Sequence, residues 1–240
     1  MSVRCIASGQ KGGVGKSTLA VLTARTAVAL GIKLAVVDLA MGNPSTSLHL
    51  LGVLPTHTLA THVIGASKLN EVIHIVSTEY GPVYLVPSGR GDLSLVNAYG
   101  DVSDRVGAVI NYLVDRVGVD YVIIDFPSFE PNLDDLFANV LMRCDIVYPV
   151  GIQDPGSLAA LKNLHDFVRK GSVSIGRPVI NMFRESLGRQ WVGVVSKLFG
   201  AEPSVIHYDP WLIRWVQDGG GYYGIGIREA LTYIIKYVLG

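Results

Sequence analysis

The stretch SGQKGGVGKST, residues 8–18, decides the fold of this chain. It lies between an apolar run with β-branched residues, VRCIASG (3–9), and a segment with apolar residues at helical spacing, KSTLAVLTARTAVALG (16–31). A glycine-rich turn between a buried strand and a helix directs backbone N–H groups and the positive end of the helix dipole at one point. The stretch therefore predicts a phosphate-binding loop after the first strand.

The loop is close to the pattern GxxxxGK[ST], with Gln10 where the first glycine would stand. We expect Lys16 to neutralise the β- and γ-phosphate oxygens of a nucleotide and the Ser17 hydroxyl to ligate Mg²⁺. The other loop residues should contact phosphate because they form the turn itself: Gly12, Gly13, Val14, Gly15 and Thr18. The sequence thus predicts a site for a nucleotide with Mg²⁺.

Further apolar runs alternate with helical segments along the rest of the chain. The runs are KLAVVDLA (33–40), PVYLVPSG (82–89), DYVIIDFPS (120–128), DIVYPVGI (145–152) and RPVINMF (177–183). Such alternation predicts an α/β fold, with one doubly wound, mostly parallel sheet and helices on both faces. Ligand loops are then expected at the carboxyl ends of the strands. No repeat or linker interrupts the pattern, so we predict a single domain over residues 1–240.

The composition is that of a folded globule, with 49% apolar residues and equal numbers of basic and acidic residues, 20 of each. This balance argues against a protein coated in basic charge, although residues 161–240 carry ten Lys and Arg against six Asp and Glu. Without an apolar stretch of about 18 residues or a secretion signal, the chain is expected to remain in the cytoplasm.

The two cysteines, Cys5 and Cys144, each lie in or beside an apolar strand-like run, with no CxxC pairing. We therefore expect buried, unpaired core residues. Neither a disulfide nor a cysteine metal site is predicted.

The second lysine of the loop, Lys11, has no obvious task while Lys16 occupies the phosphates. KGGVGKST (11–18) resembles the deviant Walker A motif of the MinD/ParA family of ATPases, in which the first lysine is the signature lysine. The resemblance implies a face-to-face homodimer with two ATP molecules at its interface. Each Lys11 would reach the partner's phosphates, and a cation supplied in this way is worth roughly 10³ to 10⁵ in rate in other systems.

The resemblance extends along nearly the whole chain. KLAVVDLAMGNPSTSLHLLGV (33–53) is similar to the second strand and switch I, and YVIIDFPS (121–128) to the Walker B and switch II segment. From the later segments the resemblance implies that Asp154 touches the partner's nucleotide, that Asn181 hydrogen-bonds the adenine, and that the loop containing Asp209 and Pro210 closes over the base.

Two aspartates end neighbouring apolar strands, Asp38 and Asp125. An unpaired carboxylate at a buried strand end is costly without a cation or donor nearby. We therefore assign both to the metal site, with Asp125 holding Mg²⁺ through water.

Position 40 departs from the family pattern, because Ala40 stands where the second aspartate of D-x-D usually orients the attacking water. Groups that activate or position water typically contribute roughly 10² to 10⁴ in rate. We therefore expect a Mg²⁺-dependent ATPase that binds ATP and dimerises but hydrolyses very slowly. Ala40 is either natural, marking an ATP-locked scaffold, or introduced to trap the dimer; we favour the latter, because the other turnover residues are present.

The function that this resemblance implies is ATP-dependent DNA partitioning, with nonspecific DNA bound by the dimer and a ParB-like activating partner. Candidate DNA contacts are Arg189, Lys197, Arg214 and Lys236. Two alternatives remain: a MinD-like positioning ATPase with a MinE-like partner, and a nucleotide-locked adaptor that is not an enzyme. Membrane binding is disfavoured because no basic amphipathic helix follows the last predicted helix. The protein is then expected in the cytoplasm, associated with the nucleoid.

Overall fold

A computed structural model of the protein describes residues 2–89, 102–132, 135–212, 214 and 224–240. These residues form one sheet of nine strands in the order β3-β4-β2-β5-β1-β6-β8-β9, with β7 beside β6. The strands are β1 (Ser2–Ala7), β2 (Leu34–Asp38), β3 (His74–Thr78), β4 (Gly81–Val86), β5 (Tyr121–Asp125), β6 (Ile146–Gly151), β7 (Ser174–Ile175), β8 (Val179–Phe183) and β9 (Ser204–His207).

Helices connect the strands and cover the sheet. They are α1 (Lys16–Ala29), α2 (Ser45–Leu51), α3 (Leu59–Val63), α4 (Val102–Tyr112), α5 (Asp135–Leu141), α6 (Pro155–Val168), α7 (Gln190–Phe199) and α8 (Ile225–Tyr233). Two of them continue into π-helical turns, α4 over Leu113–Val117 and α8 over Ile234–Val238. In the part of the chain that the structure describes, no helix is long and apolar enough to cross a membrane.

The predicted fold class is confirmed: one doubly wound sheet, parallel except for β3, which pairs antiparallel with β4 at one edge. The sequence analysis missed β3, β9 and the two-residue strand β7. Strands β3 and β9 lie at the two edges of the sheet, and in β3 only Val76 is buried, so neither forms a continuous buried apolar run. Buried strands give the clearer sequence signal in a parallel sheet.

Two apolar layers pack on the two faces of the sheet. Helices α3, α4 and α5 cover one face, and α1 and α8 cover the other. Strand β1 lies in the middle, paired with β5 on one side and β6 on the other. The loop that follows β1 therefore leaves the sheet at the centre of its carboxyl edge.

The prediction of unpaired cysteines is wrong, because Cys5 and Cys144 form a disulfide. Their Cα atoms lie 6.1 Å apart, within the usual range for a disulfide. Cys5 lies in β1, and Cys144 lies just before β6, the strand beside it. Spacing along the chain gave no hint of the pair, since the two strands become neighbours only when the sheet forms.

Loss of this disulfide is expected to lower the free energy of unfolding by roughly 2 to 5 kcal/mol, because the bond closes a long loop in the unfolded chain. Its two cysteines are 139 residues apart. Denaturant unfolding with and without reductant measures the effect. The variant Cys5→Ala/Cys144→Ala is the control and should not respond to reductant. Two alkylatable thiols in wild-type protein denatured without reductant would contradict the disulfide.

Candidate functional site

The loop predicted to bind phosphate joins β1 to α1 through a tight turn. Gly15, the residue before α1, has φ 94°, a left-handed conformation that favours glycine. A Cβ atom at Gly15 would lie 2.2 Å from Nδ2 of Asn181. Only glycine therefore fits where the loop enters the helix.

The first phosphate ligand of the prediction, Lys16, is folded back along the loop. Its Nζ donates to Oγ of Ser8 at 2.9 Å, and the Ser8 hydroxyl donates to the Lys11 carbonyl at 2.7 Å. Burial lowers the pKa of Lys16, while the nearby charge of Asp125 acts in the opposite direction. Ser8 was missed in the sequence analysis; it holds the ammonium group beside the loop's backbone.

A cavity of about 470 Å³ opens at the loop. Its wall contains the predicted loop residues and position 40, with parts of the segments after β2 and β5 and one residue of β8. The lining residues are Gly12, Gly13, Val14, Gly15, Lys16, Ser17, Thr18, Ala40, Met41, Gly42, Asn43, Ser45, Phe126, Pro127, Ser128, Phe137 and Met182. None of these is acidic.

The two strand-end carboxylates lie side by side, because Asp38 in β2 is the register partner of Asp125 in β5. Asp38 accepts hydrogen bonds from the backbone N–H of Ala40 and from both the N–H and the hydroxyl of Ser47, at 2.6–2.9 Å. Asp125 accepts from the hydroxyl of Thr46 at 2.7 Å through Oδ2, whereas Oδ1 is buried without a partner. Asp38 is thus saturated and Asp125 is not.

Burial is the main cause that shifts the ionisation of this pair. It raises the pKa of Asp38. Burial and the charge of Asp38 together raise the pKa of Asp125 to about 7, against weaker opposition from Thr46, Ser17 and Lys16. The pair therefore favours a cation that would restore the charge of Asp125.

The residues at this point fit Mg²⁺. The orphaned Oδ1 of Asp125 and the Ser17 hydroxyl are hard oxygen donors, which Mg²⁺ prefers, and this ion usually takes one or two carboxylates with water and substrate phosphates. No group of three His, Cys, Asp or Glu residues able to hold a metal occurs within the described ranges. The nucleotide would have to supply the remaining ligands.

Thr46 and Ser47 were also missed, although both belong to the segment quoted as similar to switch I. They are buried at the start of α2, and each hydrogen-bonds a different strand-end carboxylate. The available signal was the run of three consecutive hydroxyl residues after Pro44, in a chain with two expected strand-end carboxylates.

Lys11 lies outside the cavity lining and forms an ion pair within its own chain. Its Nζ lies 2.9 Å from Oδ1 of Asp154, and both side chains are about one third exposed, 34% and 36%. The hydrogen bond from Lys11 is the main cause that lowers the pKa of Asp154. Asp154 also caps α6 by accepting from the Ser157 N–H at 2.8 Å. The structure thus brings together two residues that the resemblance assigned to a partner's nucleotide.

The residues assigned to the adenine occupy two places. Asn181 is buried, and its Nδ2 donates to the Val14 carbonyl at 2.8 Å, bracing the loop. The next residue, Met182, has φ 53° and lines the cavity. Asp209 and Pro210 follow β9 outside the lining, and residues 213 and 215–223 lie outside the described part of the chain. The adenine roles stay predictions.

A glycine-rich loop on a helix N-terminus, a buried loop lysine and a strand-end carboxylate beside a loop hydroxyl define a P-loop nucleotide-binding protein. The family model described as AAA domain, AAA_31, matches residues 3–174. The chain belongs to this family, and its fold matches the solved structures of a MinD cell-division ATPase and of a ParA-family ATPase.

Three relatives illustrate the similarity. The antiactivator FleN of Pseudomonas aeruginosa is 28% identical over 168 residues, which are 65% of this chain and 55% of FleN. The chain thus matches about half the length of this curated relative. MinD from Pyrococcus horikoshii, complexed with Mg-ADP, has a TM-score of 0.76 and 22% identity over 100% of this chain and 97% of its own. A putative plasmid partition protein from Borrelia burgdorferi, bound to AMPPNP, has a TM-score of 0.72 and 20% identity over 98% of each chain.

The ionisation of Asp125 predicts how stability depends on pH in the absence of metal and nucleotide. A carboxyl group whose pKa rises from 3.8 to about 7 keeps its proton in the folded protein after the unfolded chain has released it. Asp125 should therefore make the free energy of unfolding fall as pH rises across this window, contributing at most about 1.4 kcal/mol per pH unit in addition to the contribution of Asp38.

Urea unfolding at several pH values, for wild type and Asp125→Asn, measures this dependence. The descending slope should become shallower in the variant, because its amide cannot ionise, whereas the Asp38 carboxyl, whose pKa burial also raises, still can. Glu202→Gln removes an exposed carboxylate and is the matched control. The same slope in wild type and Asp125→Asn would contradict the assignment.

Proposed function

We propose that this protein is an ATP-dependent dimerising switch that partitions DNA. The observation that carries the proposal is that the two loop lysines lie in different environments. Lys16 is buried and faces the nucleotide cavity, whereas Lys11 is partly exposed on the rim and is held by a single ion pair. A rim cation is free to exchange Asp154 for the phosphates of a second subunit's nucleotide.

In this proposal the loop holds the phosphates of ATP through the backbone N–H groups of residues 12–18 and the ammonium group of Lys16. Asp125 and Ser17 hold Mg²⁺, and Asp38 fixes the start of α2 through Ser47. Bound Mg²⁺ neutralises phosphate charge. The chain's own residues orient the nucleotide, and Lys11 adds a positive charge across the dimer interface.

In this proposal the protein hydrolyses bound ATP only slowly. Ala40 lines the cavity with its side chain almost fully buried, and no acidic side chain lines the wall in the described residues. The cavity therefore offers binding groups but no carboxylate to position water. This same observation favours the second candidate function, a nucleotide-locked adaptor that binds ATP without turning it over.

The variant Ala40→Asp is expected to raise the rate of ATP hydrolysis by roughly 10² to 10⁴, because a carboxylate at this position can orient the attacking water. The control is Ala40→Asn, which has nearly the same size but no basic carboxylate. Steady-state phosphate release, with ATP affinity measured in parallel, tests the change. If Ala40→Asp binds ATP as tightly as wild type and hydrolyses no faster, the adaptor function is favoured.

The DNA part of the proposal draws on the basic last third of the chain. Of the four predicted contacts, Arg189 is bound to Glu185 at 2.5–3.0 Å, which neutralises much of its charge. Arg214 lies over the Trp211 ring. Lys197, Arg214 and Lys236 are all exposed, and Lys236 also lies over a ring, that of Tyr237. These three residues are therefore better candidates than Arg189, and binding chromosomal DNA would associate the protein with the nucleoid.

ATP-dependent DNA binding should require Lys11. We expect wild type to dimerise and to bind a random-sequence duplex with Mg-ATP but not with Mg-ADP, with an affinity that falls as salt rises. Lys11→Ala should lose both properties while still binding ATP, and Lys68→Ala, a loss of one exposed lysine, should lose neither. Light scattering and fluorescence anisotropy measure the two properties. Dimers that do not bind DNA would point instead to MinD-like positioning.

A further inference from the structure

We propose that a second cavity, at the opposite edge of the sheet from the phosphate loop, binds the phosphate groups of a nucleic-acid backbone. Arg177, Arg228 and Lys236 supply its positive charge, and Tyr237 lies among them. In naming nucleic acid as the source of the phosphate groups, the inference rests on the proposed function. The site itself is argued from its own residues.

The cavity has a volume of about 640 Å³ and lies between α8 with its π-helical turn and the amino ends of β8 and β9. Arg177 precedes β8 by two residues, and Ser204 is the first residue of β9. The phosphate loop follows the carboxyl end of β1, at the other edge of the sheet, so the two cavities are separated by at least the length of a five-residue strand, roughly 16 Å at about 3.3 Å per residue. Both cavities can therefore be filled at once.

The cations are spaced for several anionic groups. Arg228, Thr232 and Lys236 are exposed and follow one another at intervals of four residues, so they share one face of the helix. At about 1.5 Å per residue, the two ends of this row are roughly 12 Å apart. Arg177 lies on the facing wall. A single small anion cannot contact all of these groups, whereas a polyanion can.

The two carboxylates of the cavity, Glu202 and Glu229, cancel only part of the charge of its three cations. Glu229 turns both its oxygens to His207, accepting from the backbone N–H at 2.7 Å and facing the ring Nδ1 at 2.8 Å. Glu202 is 75% exposed and lies 3.9 Å from Arg177, a distance and exposure at which an ion pair is weak. Three cations thus face two carboxylates, of which Glu229 is already bound to His207 and Glu202 lies near Arg177.

Two contacts fix the guanidinium group of Arg177 in the wall. Its Nε donates to Oγ of Ser204 at 3.2 Å, and its Cζ lies 4.8 Å from the centroid of the Tyr237 ring. The Lys236 ammonium group lies over the same ring at 5.2 Å. A guanidinium group held in this way loses little freedom on binding, and its planar fork matches phosphate oxygens.

The variant Arg228→Ala/Lys236→Ala tests the site. With saturating Mg-ATP, it should bind a random-sequence duplex at least tenfold more weakly than wild type. The slope of log affinity against log salt should become shallower by about 1.8, since each lost phosphate contact removes about 0.9. Lys68→Ala/Lys170→Ala loses the same charge from two other exposed lysines and is the matched control. ATP affinity should be unchanged in both variants.

The outcomes separate this inference from the proposed function. Loss of DNA binding in the cavity variant alone supports a nucleic-acid phosphate site. If wild type binds ATP and dimerises but does not bind DNA, that part of the proposed function fails, and calorimetry with pyrophosphate in saturating Mg-ATP decides the inference. Pyrophosphate binding that the cavity variant loses supports a phosphate site for a free small molecule. The inference would be overturned if both variants lost DNA binding equally. It would also be overturned if the substitution of Arg228 and Lys236 changed neither DNA binding nor pyrophosphate binding.

Discussion

The two adjacent carboxylates at the ends of β2 and β5 impose a condition that the rest of the nucleotide site has to meet. Both are fully buried, and the sheet register holds them side by side, so two negative charges there repel each other in a poorly solvated place. The two carboxylates are stabilised by different numbers of hydrogen bonds. Asp38 receives three hydrogen bonds, whereas Asp125 receives one from Thr46 and retains an oxygen without a partner. One carboxylate anchors structure, and the other is left for a cation.

The same condition fixes the segment between β2 and α2. Ser47 is bound to Asp38 and its neighbour Thr46 to Asp125, so the start of α2 is tied to both strand ends. The backbone N–H of Ala40 is tied to Asp38 as well. Position 40 is therefore held at the cavity wall whichever side chain it carries. A substitution there is expected to change the chemistry of the cavity wall more than its shape.

Those parts of the fold and site that depend on local pattern could be predicted from the sequence. Short segments of sequence were enough to predict the buried strands, the glycine-rich turn and the strand-end aspartates. The structure has each of them at the predicted place. Contacts between distant segments could not be predicted. Cys5 and Cys144 meet only because β1 and β6 become neighbours, and Asn181 reaches the Val14 carbonyl across 167 positions of sequence. Edge strands were missed because partial exposure breaks the apolar run.

The ion pair between Lys11 and Asp154 has an energetic consequence for any association at the rim. Because Lys11 already contacts Asp154, any contact with a second subunit would replace this ion pair instead of adding to it. The electrostatic gain is then the difference between two contacts, which is smaller than the new contact alone and decreases further with salt. In the isolated subunit, Asp154 therefore competes with any second subunit for Lys11. In the proposed dimer, this one side-chain contact would set a threshold for assembly, and a ligand that displaces Asp154 would need to carry more negative charge than one carboxylate.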